Sequence, residues 1–174
     1  DVIPAGDKTY FGDVVAKTRN LVKEHPNLQL VFSIMLGTND AVERKHNSHT
    51  TPDNYVKNIV SIIDSLLKLW PDAHVILNKP IWNSSDYVSQ GGSVATKKSL
   101  KLLSVYADRL KDVANRYRMG QVCLGDFDAY DYFEKNWKTD IFEEKDSRGK
   151  SYWLHPNEKG AEKLAEYWGK AIIK

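Results

Sequence analysis

The chain has 174 residues, enough for one domain of ordinary size and too few for two domains with separate cores. Hydrophobic residues make up 41% and charged residues 28%, which excludes wholesale disorder and collagen-like architectures. Lys and Arg number 25 against 23 for Asp and Glu, with both signs interleaved, so no nucleic-acid partner is indicated. The apolar runs are far shorter than the roughly 20 residues that cross a bilayer, so no membrane span is expected.

Helical and strand patterns alternate from the start of the chain. Apolar residues at helical spacing predict a first helix over about residues 12–24. The nearly unbroken apolar run over residues 28–36 is typical of a parallel strand buried on both faces. Thr51 and Pro52 form a good N-cap and N1 pair for a strongly amphipathic helix, and residues 74–78 predict the next strand.

The second half of the chain continues this alternation. A long helix is predicted to end near Gly120, followed by a third strand at residues 121–124 and a final helix at about 157–173. This order predicts an α/β fold: a three-layer α/β/α arrangement around an open parallel sheet. Ligands of such sheets bind at the carboxyl ends of the strands.

The loop after the first strand carries the first candidate site. Gly37 allows a close approach of the backbone, and the Asn39 amide can donate hydrogen bonds to a developing oxyanion. Because Gly, Asn and Asp all favour turns, an ordinary tight turn is the alternative interpretation.

His155 lies just before the predicted final helix. A loop position suits a general base whose ring must contact a nucleophile from another element. A surface or capping histidine is the alternative.

Two sequence motifs are informative when they are considered together: IMLGTND at residues 34–40 and LHPNEKGAEKLAEYW at residues 154–168. Together they resemble the SGNH (GDSL-type) ester hydrolase family, over a stretch from about Gly6 to the C-terminus. Each motif alone is weak evidence, and the pair at this separation is more specific. The resemblance implies one SGNH-type hydrolase domain over residues 1–174.

The resemblance also implies an activity and roles for single residues. Gly37 and Asn39 would line an oxyanion hole, and His155 would be the catalytic base, within about 6 Å of Asn39 because one acyl group must contact both. The nearest likeness is to bacterial carbohydrate acetylesterases, which implies a small-molecule or carbohydrate ester substrate and deacetylation. It implies no metal or organic cofactor and favours a secreted or periplasmic location.

The sequence departs from the family at the nucleophile. The family's Gly-Asp-Ser motif is missing, and residues 6–8 resemble it only with Lys8 in place of Ser, so we interpret them as a surface loop. We therefore expect the chain to lack the family's N-terminal portion, including two strands. The strand at 28–36 would then keep an unpaired edge, and a complementing N-terminal segment would be a candidate partner.

A second departure concerns the acid of the triad. Family members carry Asp three residues before the histidine, where this chain has Tyr152. A phenol stays neutral at pH 7, so Tyr152 is not expected to replace that acid. We predict instead that the second ring nitrogen of His155 bonds to a backbone carbonyl or a distant Asp. Asp146 is predicted to be a solvated loop acid.

The remaining candidates have weaker patterns. Trp82 and Trp153, with Tyr152, flank the rim and would either stack on a sugar ring or pack in the core. The His46-x-x-His49 pair has no third ligand nearby, so no metal site is predicted. Cys123 lies in an apolar run and is expected to be a small buried core residue.

Two other functions remain open on sequence grounds. A non-catalytic carbohydrate-binding or interaction module could keep this fold without the nucleophile. A flavodoxin-like binding domain would need a phosphate-binding loop after its first strand, and the segment at 37–39 is a weak substitute for one.

Overall fold

The computed structural model describes residues 10–43, 49–90 and 92–173. Its helices and strands alternate over most of the chain. The helices are α1 Tyr10–Glu24, α2 Thr38–Ala41, α3 Pro52–Leu69, α4 Lys97–Ala114, α5 Ala129–Asp140 and α6 Glu158–Ile173. The strands are β1 Val31–Ile34, β2 His74–Leu77, β3 Tyr87–Val88, β4 Val94–Ala95, β5 Val122–Leu124, β6 Ile141–Lys145 and β7 Ser151–Pro156.

The central sheet is parallel and has the order β1-β2-β5. Ser33 pairs with Ile76, and Ile76 pairs with Cys123, so these three residues form one row across the sheet. The parallel sheet with its helical connections confirms the predicted α/β class. None of the helices in the described ranges is long and apolar enough to cross a membrane.

The main core lies between one face of this sheet and helices α3 and α4. The sheet contributes Val75, Leu77 and Val122, which are all buried. The helices contribute apolar residues that recur at helical spacing and include Tyr55, Ile59, Ile63, Leu103, Tyr106, Leu110 and Val113. The amphipathic patterns of α3 and α4 thus predicted the buried side of each helix correctly.

Helix starts are fixed by local hydrogen bonds. The Thr51 side chain accepts a hydrogen bond from the Asn54 backbone N–H at 3.3 Å, and Pro52 follows at the first helical position, as predicted for α3. The backbone N–H of Thr96 donates to Ser99 Oγ at 3.1 Å at the start of α4. These bonds satisfy backbone donors that a helix terminus leaves unpaired.

Two predictions about burial are wrong. The strand at 28–36 was expected to be buried on both faces, but β1 spans only Val31–Ile34, and Val31 is 40% exposed. Among the described strands β1 lies at an edge, so no strand covers its outer side. Cys123 is exposed because it lies on the edge strand β5, on the face opposite the α3–α4 core.

Several elements were not predicted. Helix α5 and the antiparallel hairpins β3–β4 and β6–β7 follow the rim loops and have short or interrupted apolar patterns. One consequence concerns the candidate base: His155 lies on strand β7, not in a loop. The position of the site therefore depends on a hairpin as well as on the sheet.

Candidate active site

The carboxyl ends of the three parallel strands are held together by Asn78. This residue is buried, and its Nδ2 donates to Ser33 Oγ at 2.9 Å while its Oδ1 accepts from the Asp126 backbone N–H at 2.8 Å. A Cβ at Gly125 would lie 2.2 Å from Asn78 Oδ1, so glycine is required there. The loops after β1, β2 and β5 therefore share one rim, as the parallel order predicts.

Gly37 begins the rim loop after β1 in a conformation that favours glycine. Its φ is +134°, and a Cβ would lie 3.3 Å from the Tyr55 ring and 3.4 Å from Pro80. The Gly37 carbonyl accepts hydrogen bonds from the backbone N–H groups of Asp40 and Ala41, which starts helix α2. The glycine of the motif thus gives the chain a sharp turn directly at the rim.

Asn39 is exposed on helix α2, and within the described residues its side chain makes no hydrogen bond. The helix beneath it is held by two stacked rings, Tyr55 and Tyr106, with centroids 4.2 Å apart. The Tyr55 hydroxyl donates to the Leu36 carbonyl at 3.0 Å, and the Tyr106 hydroxyl lies 3.2 Å from the Asp40 carbonyl. Burial, with a smaller effect of the Asp40 charge, raises the pKa of Tyr106 to about 12, so its hydroxyl remains a donor.

His155 lies near the end of β7, on the hairpin that precedes helix α6. Its side chain is 67% exposed, so its ring is open to a substrate. The hairpin is joined to the rim loop after β2 by two hydrogen bonds: the Trp153 N–H donates to Ser84 Oγ, and the Ser84 N–H donates to the Trp153 carbonyl, each at 2.9 Å. These bonds connect the strand of His155 to the same rim that bears Asn39.

The second nitrogen of His155 faces a carboxylate. Its Nδ1 lies 3.1 Å from Glu144 Oε1 and 3.0 Å from Glu144 Oε2, on the neighbouring strand β6. The prediction of a backbone carbonyl or a distant Asp is therefore wrong, because the hairpin brings a glutamate to the ring. Tyr152 is not the ring's partner; its hydroxyl lies 3.2 Å from Glu144 Oε1.

Asp146 is not a solvated loop acid, contrary to prediction. It is 2% exposed and accepts hydrogen bonds from the backbone N–H groups of Val88, Arg148 and Lys150. Its carboxylate also lies 2.7 Å from Arg148 Nη2. Asp146 thus holds the turn between β6 and β7 and does not contact His155.

The motif after His155 connects α6 to the end of α5. Asn157 Nδ2 donates to the Thr139 carbonyl at 2.8 Å, and its Oδ1 accepts from the Gly160 N–H at 3.0 Å. A Cβ at Gly160 would lie 2.0 Å from the Asp140 carbonyl oxygen, which explains the glycine. The Asp140 carboxylate is buried and lies 2.9 Å from Lys159 Nζ. These contacts fix the chain that leaves His155.

The rim tryptophans pack on one another. Trp153 lies edge-on to Trp137 with centroids 4.4 Å apart, and Trp82 stacks on Trp137 at 6.1 Å. Trp82 and Trp153 are both half-buried. Tyr152 is buried and stacks on Tyr87 at 4.3 Å, so its ring is not open to a sugar.

Other sequence candidates lie apart from this arrangement. His49 Nδ1 lies 3.8 Å from Glu43 Oε1, whereas His46 and residues 6–8 lie outside the described residues. Among the described residues no group of three or more His, Cys, Asp or Glu side chains could hold a metal ion.

Two exposed side chains, His155 and Asn39, determine which chemistry this site could perform. The His155 ring can accept a proton at Nε2 while Nδ1 is held by Glu144, and the Asn39 amide can donate to an oxyanion. Within residues 10–43, 49–90 and 92–173 no serine hydroxyl hydrogen-bonds to the His155 ring. The described residues thus contain an exposed imidazole in contact with a carboxylate and an exposed amide on the rim.

Sequence reasoning missed Glu144, although a signal was present. The stretch 146–149 reads Asp-Ser-Arg-Gly, and its Gly149 has a φ of +78°. Such a turn between two short apolar-polar stretches is typical of a hairpin, which would have placed an acid on β6 beside the histidine strand.

Comparison with known proteins gives a consistent result. The model of the GDSL-like lipase/acylhydrolase family matches residues 5–163. The crystal structure of the lipase/acylhydrolase from Enterococcus faecalis is similar over 94% of this chain and 70% of that chain, with 19% sequence identity and a TM-score of 0.51. At this identity the structural likeness concerns the fold alone. No curated protein matches the chain.

Proposed function

Because the chain belongs to the GDSL-like lipase/acylhydrolase family and is thus a hydrolase of ester substrates, we propose that it deacetylates a carbohydrate by a Ser-His mechanism. The observation that carries the mechanism is the His155 ring, which is exposed and has its Nδ1 held by a carboxylate. An ordinary surface histidine has no need of such an orienting partner, whereas a general base does.

The first half of the proposed reaction is acyl transfer to the enzyme. A serine Oγ attacks the acetyl carbon while His155 Nε2 accepts the hydroxyl proton. The carbonyl oxygen becomes an oxyanion, which accepts a hydrogen bond from the Asn39 amide and from backbone N–H groups. The tetrahedral intermediate then expels the carbohydrate oxygen, which takes the proton from Nε2 and leaves as an alcohol.

The second half repeats these steps with water. Water attacks the acetyl-serine carbon as Nε2 accepts one of its protons, and the collapse of the new intermediate returns that proton to serine Oγ. Acetate leaves, and the serine is free for another cycle. One Asn donor of this kind contributes about 3 kcal/mol to the lowering of such a barrier.

The carbohydrate half of the proposal rests on the aromatic rim. Trp82 lies in the rim loop after β2, Trp153 lies on β7 two residues before His155, and both keep part of their surface in solvent. Their rings pack on Trp137, which would hold them rigidly enough to stack on a sugar face.

The proposal is tested with the full-length protein on three substrates: p-nitrophenyl acetate, p-nitrophenyl butyrate and an O-acetylated oligosaccharide. We expect turnover of both acetyl esters, a preference for acetyl over butyryl, and loss of all three activities in His155→Ala. Trp82→Ala should raise KM for the oligosaccharide and leave p-nitrophenyl acetate hydrolysis unchanged. Hydrolysis of the aryl esters without release of acetate from the oligosaccharide would refute the carbohydrate substrate. An absence of turnover on all three would favour the non-catalytic binding module.

A further inference from the structure

The ring of His155 has a partner that the motif does not predict. Both oxygens of Glu144 lie within 3.1 Å of Nδ1. A carboxylate only accepts hydrogen bonds, so this contact favours the neutral tautomer with the proton on Nδ1, in which the Nε2 lone pair faces away from Glu144. Glu144 lies 11 residues before His155 in the sequence, on the other strand of the hairpin.

We propose that Glu144 is the positioning acid of His155, supplied by strand β6 in place of the family's Asp at the position of Tyr152. The proposal rests on the proposed function of His155 as a general base. Glu144 holds the ring in the tautomer with the proton on Nδ1 and stabilises the imidazolium that forms when Nε2 accepts the serine proton. The carboxylate remains ionised throughout, and the transferred proton stays on Nε2 until the leaving alcohol takes it.

The pairing of β6 with β7 explains why Tyr152 is present where an acid is expected. In this antiparallel hairpin Glu144 pairs with Tyr152. The Tyr152 hydroxyl donates to Glu144 Oε1 at 3.2 Å, and its ring stacks on Tyr87 at 4.3 Å. Burial, and then the nearby charge of Glu144, raises the pKa of Tyr152, which keeps the hydroxyl protonated as a donor. Tyr152 therefore orients the acid instead of replacing it.

The hairpin that carries Glu144 is held in place at its far end. The buried Asp146 binds the turn residues, and both Arg148 Nη2 and Lys150 Nζ donate to the Asp86 carbonyl at 3.0 Å. These bonds connect the turn to the loop that enters β3. A hairpin fixed at its turn and at Trp153 gives Glu144 a defined position beside the ring.

The neighbouring acids have other partners. Asp140 accepts hydrogen bonds from Tyr132 and Thr139 and pairs with Lys159, and Asp146 is bound to Arg148. Within the described residues, Glu144 is the acid that contacts the His155 ring.

The experiment compares Glu144→Gln, Glu144→Asp and Glu144→Ala with Glu143→Gln as the matched control. Glu143 lies beside Glu144 on β6, is exposed, and pairs with Lys145 and Ser151. Circular dichroism checks the fold of each variant. For Glu144→Gln we expect kcat on p-nitrophenyl acetate to fall by about a hundredfold to ten-thousandfold, with KM changed less than threefold. Glu144→Asp should have a kcat between those of Glu144→Gln and the parent, and the kcat of Glu143→Gln should stay within about twofold of the parent.

A second measurement needs no turnover. The ¹⁵N chemical shifts of the His155 ring at neutral pH report which nitrogen carries the proton. We expect the Nδ1–H tautomer in the parent protein and in Glu143→Gln, and the ordinary Nε2–H tautomer in Glu144→Ala.

The outcomes separate this proposal from the proposed function. If His155→Ala abolishes activity while Glu144→Gln keeps kcat within about threefold, Glu144 is not the positioning acid and the base role of His155 stands. An Nε2–H tautomer in the parent also overturns the Glu144 proposal. If His155→Ala keeps full activity, the proposed function of His155 fails, whatever the tautomer.

Discussion

The two sides of the candidate site are built in different ways. Asn39 lies on a short helix that directly follows a sheet strand and is fixed by the buried rings of Tyr55 and Tyr106. His155 lies on a two-stranded hairpin outside the parallel sheet, and the buried carboxylates of Asp146 and Asp140 anchor the segments around it. The Asn39 side, the proposed oxyanion side, is thus an extension of the main core. The His155 side, the proposed base side, has smaller apolar clusters of its own and depends in addition on buried carboxylates.

This difference matters because the two kinds of support respond to different perturbations. An apolar core tolerates changes of pH and depends on packing volume. A buried carboxylate network depends on the ionisation of its acids and on each hydrogen bond being made. We therefore expect the base side to be the more sensitive to pH and to single polar substitutions.

The largest effect is expected on the base side. His155→Ala removes the proposed proton acceptor and should lower kcat by about a thousandfold or more, with the fold intact because the side chain is exposed. Stopped assays on p-nitrophenyl acetate measure this change. His25→Ala, at an exposed position after α1, is the control and should leave kcat unchanged. Equal kcat values for the two variants would remove His155 from the mechanism.

A smaller loss is expected on the oxyanion side. Asn39→Ala removes one proposed donor to the oxyanion and should lower kcat by about a hundredfold, because backbone donors remain. The exposed Asn58→Ala on α3 serves as the control. A kcat for Asn39→Ala within about threefold of the parent would show that Gly37-Thr38-Asn39 is an ordinary turn, the alternative interpretation of that motif.

The packing of the start of α6 against the end of α5, directly after His155, can be tested by stability alone. Gly160→Ala places a methyl group 2.0 Å from the Asp140 carbonyl oxygen, which should cost about 1–3 kcal/mol and lower Tm by about 2–12 °C. Gly169→Ala lies in the same helix with no atom within 4 Å of its Cβ, and it should leave Tm unchanged or raise it. Calorimetry compares the two variants, and the reverse order of Tm would contradict the packing described for α6.

The smallest predicted effect concerns acid sensitivity. Burial alone would raise the pKa of Asp146, but hydrogen bonds from Arg148 and from the backbone of Lys150, Arg148 and Val88 hold it well below its ordinary value of 3.8. A folded-state pKa below the unfolded one stabilises the protein above about pH 4, and this stabilisation is lost as the pH falls further.

Asp146→Asn should therefore make the free energy of unfolding depend less on pH below about pH 4. Urea unfolding at several acidic pH values measures the slope, and the exposed Asp72→Asn is the control. A slope in Asp146→Asn equal to that of the parent would mean that this carboxylate does not couple to folding.

Sequence reasoning predicted the sheet side of the molecule well. The strand at residues 74–77, the capped helix that starts at Pro52 and the rim position of Asn39 all follow from apolar periodicity and from signals within a few residues. It also singled out His155, through the motif that it shares with Gly160.

The partners of the hairpin's acidic residues could not be predicted in the same way, although the turn at 146–149 indicates the hairpin itself. Glu144 and Asp146 are ordinary charged residues in sequence, and their roles depend on strand pairing and on contacts with β3 and the Asp86 carbonyl. The exposed Cys123 and the half-exposed β1 show the same limit, since an apolar segment does not reveal which strand neighbours it will have.

The rate at which a fluorophosphonate phosphonylates the full-length protein tests most directly whether His155 and Asn39 act on one acyl group. In the proposed mechanism serine Oγ displaces fluoride from phosphorus, His155 accepts the serine proton, and the phosphoryl oxygen occupies the oxyanion position. We predict that one serine is labelled, that His155→Ala slows labelling by about a thousandfold, and that Asn39→Ala slows it by about a hundredfold. Labelling that proceeds at the parent rate in both variants would contradict the claim that these two regions act on one acyl group.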